Sequence, residues 1–345
     1  MKICAIFTGG TIGSSFTEDG YISADKDQKK SLIELYQKRY GDTHEFTVRT
    51  PYYILSENLD AKHLNLLIQE IETTLAIGGY DCVLVMHGTD TLPYTAAALG
   101  LLYEKCGVPV ILVSADFPLS DERSNGLDNF AAAVRFAEVM ADEKKSGVFV
   151  AYCNKEDVPR IHSAQYVLEQ QFMSADVRSI DNMYYGSFDC DCNDGSDSVS
   201  IKKDSRVFRK NPSYNETFLC DTISVMRDRV AKAEGMDFEG FYLPDSCPVL
   251  RIFAYPGIKY PTLDAGIKSV LIKGFHSGTV ARDEGLETFA SQCRMRGISL
   301  YIAGLRADES AYESTKIYEE LGIKPLNNMT DIGAFMFLWF SAGID

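Results

Sequence analysis

The chain has 345 residues, of which 46% are hydrophobic and 24% charged, and a formal net charge of −15. That length and apolar content suffice for one large core or two smaller ones. The acidic balance argues against nucleic acid and anionic membrane surfaces as partners, and no apolar run approaches the roughly 18 residues of a membrane span.

Nine cysteines, an odd number scattered along the chain with Cys4 and Cys82 inside apolar runs, predict reduced buried thiols and a cytoplasmic protein. Cys190 and Cys192 stand too close together for zinc, with no second pair or histidines beside them, so no metal is expected. No cationic leader precedes the first strand-like run at residue 3, so a cleaved signal is not expected.

In chain order, apolar β-branched runs predict strands at Ile3–Phe7, Phe46–Thr50, Cys82–Met86, Val108–Ser114 and Val148–Tyr152. Helix-period stretches fall between them at Leu59–Ile77, Leu92–Lys105 and Gly126–Glu143. Alternation of this kind predicts a parallel sheet with helices on both faces. From about residue 189 the texture turns polar and rich in turn formers, which predicts a hairpin or linker between domains. Strands are expected again at Val249–Ala254, Val270–Ile272 and Ser299–Ala303, with helices at Asp283–Arg296, Ser314–Leu321 and Asp331–Ser341. The expected architecture is α/β in two domains. A larger parallel-sheet domain covers 1–202, a connection 203–217, and a smaller α/β domain 218–345.

In open parallel sheets, ligands sit beyond the carboxyl ends of the strands, and two stretches fall there. The first is TGGTIG, Thr8 to Gly13, after the first strand. A dinucleotide loop would need G-x-G-x-x-G and an acidic residue closing the second strand. Gly9, Gly10 and Gly13 do not have that spacing, and the second strand ends in Arg49-Thr50-Pro51. Taken alone, the two glycines could simply make a tight strand exit. The second stretch, VMHGTDTL from Val85 to Leu92, sets Thr89 beside Asp90 ahead of a helix. A helix N-terminus supplies free N–H groups and positive potential. Two threonines, a carboxylate and glycine-exposed amides suit acyl transfer, in which a base and an oxyanion site activate a hydroxyl. Asp90 taken singly reads equally well as a helix N-cap.

These residues resemble the bacterial-type L-asparaginases, particularly the cytoplasmic type I branch. The similarity includes TGGTIG, GYISAD (Gly20 to Asp25), SENL (Ser56 to Leu59), HGTDTL and ILVSADFPLSDERSNGLDN (Ile111 to Asn129). In the second half it includes LRIFAYPGI (Leu250 to Ile258), YES (Tyr312 to Ser314) and NNMTDIGAFMFLW (Asn327 to Trp339). The resemblance implies that Thr11 is the acyl-accepting nucleophile and that Tyr21, on a lid, closes over the substrate. It implies that Ser56 binds the substrate α-carboxylate, while Glu57 and Asp90 hold its α-ammonium. Thr89 would position water or act as second nucleophile, and main-chain groups near Ser114-Ala115 would contact the leaving amide. Taken alone, Tyr21 reads as a surface-loop aromatic and SEN as a helix cap. The implied reaction is hydrolysis of L-asparagine to L-aspartate and ammonia without a cofactor, in a homo-oligomer (dimer or tetramer).

Two departures stand out. Aligning FMSAD (Phe172 to Asp176) on the family's Lys-x-x-Ala-Asp puts Phe172 where the family has a lysine, and neither Arg160 nor His162 is in register to replace it. The turn GFHSGT (Gly274 to Thr279) carries an unexpected His276, which taken alone reads as a solvated loop histidine. Phe172 leaves two alternatives beside the asparaginase reading. One is a non-catalytic amino-acid-binding homologue. The other is an amidase on a related amide, including an ammonia-supplying subunit of a tRNA amidotransferase.

Overall fold

The computed structural model describes residues 1–25, 28–41, 43–189, 207–214, 242–306 and 312–343. Cys190, Cys192 and most of the polar stretch around the expected connection lie outside the described residues. The chain divides into two units, residues 1–215 and 216–345.

The first unit is built on an eight-stranded sheet. Five parallel strands form its centre: β1 (Lys2–Phe7), β4 (Glu45–Arg49), β5 (Cys82–Met86), β6 (Pro109–Val113) and β7 (Gly147–Cys153), in the order β4-β1-β5-β6-β7. Beyond β7 the sheet turns antiparallel through β8 (Pro159–Ser163), β9 (Gly186–Asp189) and β10 (Val207–Lys210). β10 falls within the segment read as a connection. A hairpin of β2 (Ser14–Phe16) and β3 (Ile22–Ala24) stands apart from the sheet.

Period-two alternation assigns each face of the central strands to different helices. Ile3, Ala5 and Phe7 of β1, with Leu84 and Met86 of β5, share a core with Phe130, Val134 and Phe136 of α4 (Gly126–Asp142) and with Leu32 and Tyr36 of α1 (Gln28–Tyr40). On the other face Cys4 of β1 meets Thr74 of α2 (Ala61–Ile77), at 3.7 Å. There, α3 (Leu92–Tyr103) packs on β6 and β7. Ten of the twelve residues of α3 are buried, so it is apolar nearly all round. The expected α/β fold with helices on both faces is the one observed.

Strand order fixes where a ligand can sit. The chain leaves β1 to one side for β4, then crosses to β5 on the other side. Neighbouring strands whose connections run in opposite directions open a crevice at their carboxyl ends. Here that switch point lies between β1 and β5, where TGGTIG and HGTDT emerge.

The second unit has a smaller parallel sheet, β11 (Val249–Phe253), β12 (Ser269–Lys273), β13 (Ser299–Ala303) and β14 (Ile323–Leu326), in sequential order. Among the described residues its helices are α5 (Glu284–Met295), α6 (Ile317–Leu321) and α7 (Asp331–Ser341). An aspartate caps α5, where the Asp283 side chain accepts the Leu286 N–H at 2.9 Å. At the start of α7, Asp331 is nearly buried and answers two cations, Arg251 at 2.8 Å and Lys273 at 3.1 Å. His276 lies on the turn after β12, exposed.

Candidate active site

The first turn is held between two neighbours. After Phe7, both the N–H and the hydroxyl of Thr8 donate to the Met86 carbonyl of β5, at 3.1 and 2.8 Å. On the other side, Ile54 donates to the Thr8 carbonyl at 3.1 Å and accepts from the Gly10 N–H at 2.9 Å. Gly10 has φ 72°, a region that favours glycine. Its approach to β5 demands glycine independently: a Cβ there would run into the backbone of Gly88. Thr11 then opens a single 3-10 turn to Gly13 and is half-buried.

Gly88 closes the site from the second turn. A Cβ on Gly88 would collide with the Ser56 side chain and come within 3.1 Å of the Gly10 Cα. The three stretches TGGTIG, SEN and HGTDT therefore meet at one point through two bare glycine backbones. Thr91 adds a tie, its hydroxyl donating to the Ser56 carbonyl at 2.9 Å. Thr89 is half-buried and Asp90 exposed at this edge, beside buried Ser56 and exposed Glu57.

The local structure also decides between the alternative readings of two segments. Asp90 does not cap a helix: Thr91 occupies the N-cap position of α3, with no side-chain capping bond. Likewise SEN does not cap α2. Ser56–Asn58 form a separate 3-10 turn, and Asp60 is the cap, accepting the His63 N–H at 2.9 Å. Both stretches are thereby left with polar side chains that helix capping does not consume.

His87 makes the second turn rigid. It is fully buried, with Nδ1 2.9 Å from the Gly88 carbonyl and Nε2 2.9 Å from the Thr95 hydroxyl of α3. Burial pushes its pKa down to about 4, so the ring is neutral at pH 7. The backbone of His87 is fixed in turn, its N–H donating to Val113 at the end of β6 at 2.8 Å. Ser114 and Ala115, immediately beyond, are fully buried at that same carboxyl edge. The Asn129 side chain donates to the Ser114 carbonyl at 2.8 Å.

Tyr21 follows the tip of the β2–β3 hairpin and is 74% exposed. The tip is closed by the Thr17 N–H on the Tyr21 carbonyl, at 2.7 Å. At the base, the Asp25 N–H donates to the Gly13 carbonyl at 2.9 Å. The Tyr53 hydroxyl lies 2.6 Å from the Gly13 carbonyl and 2.8 Å from that of Asp25, touching both feet of the hairpin at once.

One expectation is corrected. The alignment puts Phe172 at the position of a lysine that would pair with Thr89 and Asp90, but Phe172 is 96% exposed. The residue of that segment that reaches the second turn is Gln170, whose amide donates to the Thr89 carbonyl at 3.0 Å. Arg160 and His162 lie elsewhere, on β8, with Arg160 paired to Asp157 at 2.9 Å and His162 bonded to Ser179 at 2.7 Å. Tyr53 and Gln170 were not singled out from sequence. The only cue to Tyr53 was a polar-tipped aromatic three residues ahead of SEN. Among the described residues, no group of three or more His, Cys, Asp or Glu side chains could hold a metal, and no helix is long and apolar enough to cross a membrane.

The family model described as "Asparaginase, N-terminal" matches residues 2–188. L-asparaginase 1 of Escherichia coli is 30% identical over 137 residues, covering 39% of this chain and 40% of that protein. A glutamyl-tRNA(Gln) amidotransferase component from Methanosarcina barkeri is 29% identical over 218 residues, covering 61% of this chain and 49% of that protein. In both cases the chain spans less than half the length of the relative. In fold, the thermostable L-asparaginase from Thermococcus kodakarensis superposes with a TM-score of 0.67 at 20% identity, covering 99% of this chain and 93% of that one.

Proposed function

The chain belongs to the asparaginase family, and from that premise we propose that it is an amidohydrolase converting L-asparagine and water to L-aspartate and ammonia. The observation that supports this reading is the meeting of Gly10, Gly88 and Ser56 at the β1/β5 switch point, with Thr11, Thr89, Asp90 and Glu57 as their neighbours in sequence.

In this scheme the Thr11 hydroxyl attacks the side-chain amide carbon of the substrate. The C–N bond breaks, ammonia leaves with the hydroxyl proton, and an ester to Thr11 remains. Water, positioned by Thr89, then attacks the ester carbon and restores the hydroxyl while L-aspartate departs. Ser56 receives the substrate α-carboxylate, and the carboxylates of Glu57 and Asp90 its α-ammonium, through charge-assisted bonds. Two fixed carboxylates facing one cation select substrates with a free α-amino group. Main-chain groups at Ser114-Ala115 contact the departing amide. Tyr21 folds over the crevice, assisting Thr11 and excluding water from the ester until the ammonia has left. The site acts in a cytoplasmic homo-oligomer with no cofactor.

The test is ammonia release from L-asparagine and L-glutamine by the purified chain, beside Thr11→Ala. Asparagine should be the better substrate. Thr11→Ala should lose at least about 10³-fold in turnover with an unchanged circular-dichroism spectrum, since a nucleophile has no substitute in a covalent scheme. Near-native turnover in Thr11→Ala would overturn the acyl-threonine route. Ammonia from glutamine alone would reassign the substrate.

A further inference from the structure

The HGTDT turn is gripped from behind at consecutive peptides. His87 Nδ1 lies 2.9 Å from the Gly88 carbonyl. A carbonyl only accepts, so the ring hydrogen sits on Nδ1 and Nε2 receives the Thr95 hydroxyl at 2.9 Å. The next carbonyl, that of Thr89, accepts the Leu92 N–H of α3 at 3.1 Å and the Gln170 side-chain amide at 3.0 Å. A trans peptide is planar, with its C=O and N–H pointing opposite ways. Pinning both carbonyls therefore fixes the planes on either side of the Thr89 Cα, and with them the direction of its side chain.

Gln170 reaches this turn because its segment is laid along α3. Gln165 donates to the Gly100 carbonyl at 3.1 Å and to the Glu104 carboxylate at 2.7 Å. The fit is close there, since a Cβ on Gly100 would lie 2.8 Å from the Gln165 Cγ. Glu169 accepts the Tyr94 hydroxyl at 2.9 Å, near the start of the helix. The segment thus runs antiparallel to α3, back toward its N-terminus, and Gln170 is where it arrives. Its backbone is held from the other side, the Leu168 N–H donating to the Arg178 carbonyl at 2.9 Å. Gln170 itself is half-buried, which shelters its bond from water. Past it the chain turns outward, leaving Phe172 and Met173 almost fully exposed.

We propose that Gln170 is a positioning residue for the water step of the hydrolysis, holding the Thr89–Asp90 peptide so that the Thr89 hydroxyl meets the attacking water. The proposal rests on the acyl-threonine reading above and deepens it. Asp90 keeps a tie of its own, because the next residue, Thr91, is bonded to the Ser56 carbonyl at 2.9 Å. Loss of the Gln170 amide should therefore slow the water step and leave ester formation at Thr11 as it was.

Hydroxylamine reads that step directly. Once Thr11 carries the acyl group, either water or the hydroxylamine nitrogen attacks the ester carbon. The bond to the Thr11 oxygen breaks, the attacking group's proton restores the hydroxyl, and L-aspartate or L-aspartyl hydroxamate departs. Hydroxylamine is the stronger nucleophile and depends less on being placed and activated. At a fixed hydroxylamine concentration, the initial ratio of hydroxamate to aspartate should rise about tenfold in Gln170→Ala and in Gln170→Glu. Gln170→Glu keeps the length of the side chain and replaces its donor by a carboxylate that only accepts. In both variants kcat/KM for ammonia release should stay within about twofold of wild type, because it covers only the steps up to ester formation. Partial unfolding would lower kcat/KM and leave the product ratio alone, so a merely structural contact gives the opposite pattern. Phe172→Ser, in the exposed turn, should match wild type in both readouts. The proposal fails if the ratio in the Gln170 variants equals that of wild type, if kcat/KM falls as far as the ratio rises, or if Phe172→Ser shifts the ratio equally. A wild-type chain that releases no ammonia from L-asparagine, or forms no hydroxamate, would instead overturn the acyl-threonine reading and this proposal with it.

Discussion

The two glycine-threonine turns sit on neighbouring strands and carry similar sequences, yet they are held in different ways. The HGTDT turn is locked from behind. Its histidine is buried, spans Gly88 and Thr95, and is anchored through its N–H to β6. The TGGTIG turn stays buried through Ile12, Gly13 and Ser14, and the chain then enters a hairpin outside the main sheet, tied at its feet by Tyr53. On the proposed reading, one turn is a fixed wall and the other a hinge. A covalent hydrolase of the proposed kind needs both: a rigid surface to bind and polarise the substrate, and a movable cover over the nucleophile.

The largest expected effects come from the contact that the two turns share. Gly10→Ala combines strain at φ 72° with a collision against the Gly88 backbone. Gly88→Ala drives a methyl into the Ser56 side chain. Neither neighbour can move without shifting a strand end. Each variant should lose about 3 kcal/mol or more in urea unfolding and most amide hydrolysis. Native-like stability in Gly10→Ala would show that the turns do not meet as described.

Acid tests the fixed wall next. An unfolded histidine titrates near 6.5, whereas buried His87 does so at about 4. Between these values the unfolded chain holds a proton that the native ring refuses, so stability is full above pH 6.5 and falls as the pH drops toward 4. The loss attributable to His87 is on the order of 3 kcal/mol across that window. His162, pushed down to about 3 by burial with Arg160 beside it, acts in the same direction over a wider window. Urea midpoints at pH 7, 6, 5 and 4.5 read the slope. His87→Gln should flatten it, and an unchanged slope in that variant would show that the wall does not depend on a neutral His87.

Ser56→Ala should have a smaller and more specific effect, weakening asparagine binding by about 1.5–3 kcal/mol through loss of a hydrogen bond to a charged group. Titration in a Thr11→Ala background, where no turnover occurs, isolates the binding term. Unchanged affinity would remove Ser56 from the substrate site.

The contrast between wall and hinge also marks how far the sequence could be read. Buried parallel strands announce themselves as unbroken apolar runs, and Cys82–Met86 and Ser299–Ala303 were expected at the bounds observed. Three-residue β2 and β3 and the polar α1 carry no such pattern and were not expected, although they make up the hinge side. At the site, both Gly-Thr turns were legible as glycine and threonine directly after apolar strand-like runs, whereas SEN was singled out only through the family resemblance. Convergence of the two turns on one crevice follows from their both leaving carboxyl ends of parallel strands, but the contact through Gly10 and Gly88 was not legible, since it depends on backbone packing between segments nearly 80 residues apart. Phe172 shows the opposite hazard. Aligning FMSAD on the family's Lys-x-x-Ala-Asp put Phe172 at the lysine's position, whereas in the fold Phe172 is exposed and Gln170, two residues earlier, meets the Thr89 carbonyl.

The smallest expected change probes the hinge directly. The Tyr53 hydroxyl lies against the carbonyls of Gly13 and Asp25, and one hydrogen serves both, so the two feet of the hairpin are gathered by one atom. Gly13 has no room for a Cβ because that hydroxyl occupies the space. Burial raises the Tyr53 pKa, so the phenol keeps its proton at neutral pH. Tyr53→Phe deletes only the oxygen, and global stability should fall by no more than about 1 kcal/mol. The Asp25–Gly13 backbone bond remains, so the hairpin should still form but open more often. Hydrogen exchange over residues 14–24 should accelerate several-fold, while exchange in β1 and β5 stays as it was. If Tyr21 closes over the crevice, kcat/KM for asparagine should fall by roughly the same factor, through a populated open state rather than altered chemistry. Faster exchange with unchanged kcat/KM would separate the hairpin from catalysis, and unchanged exchange would show that the backbone bond alone holds the hinge.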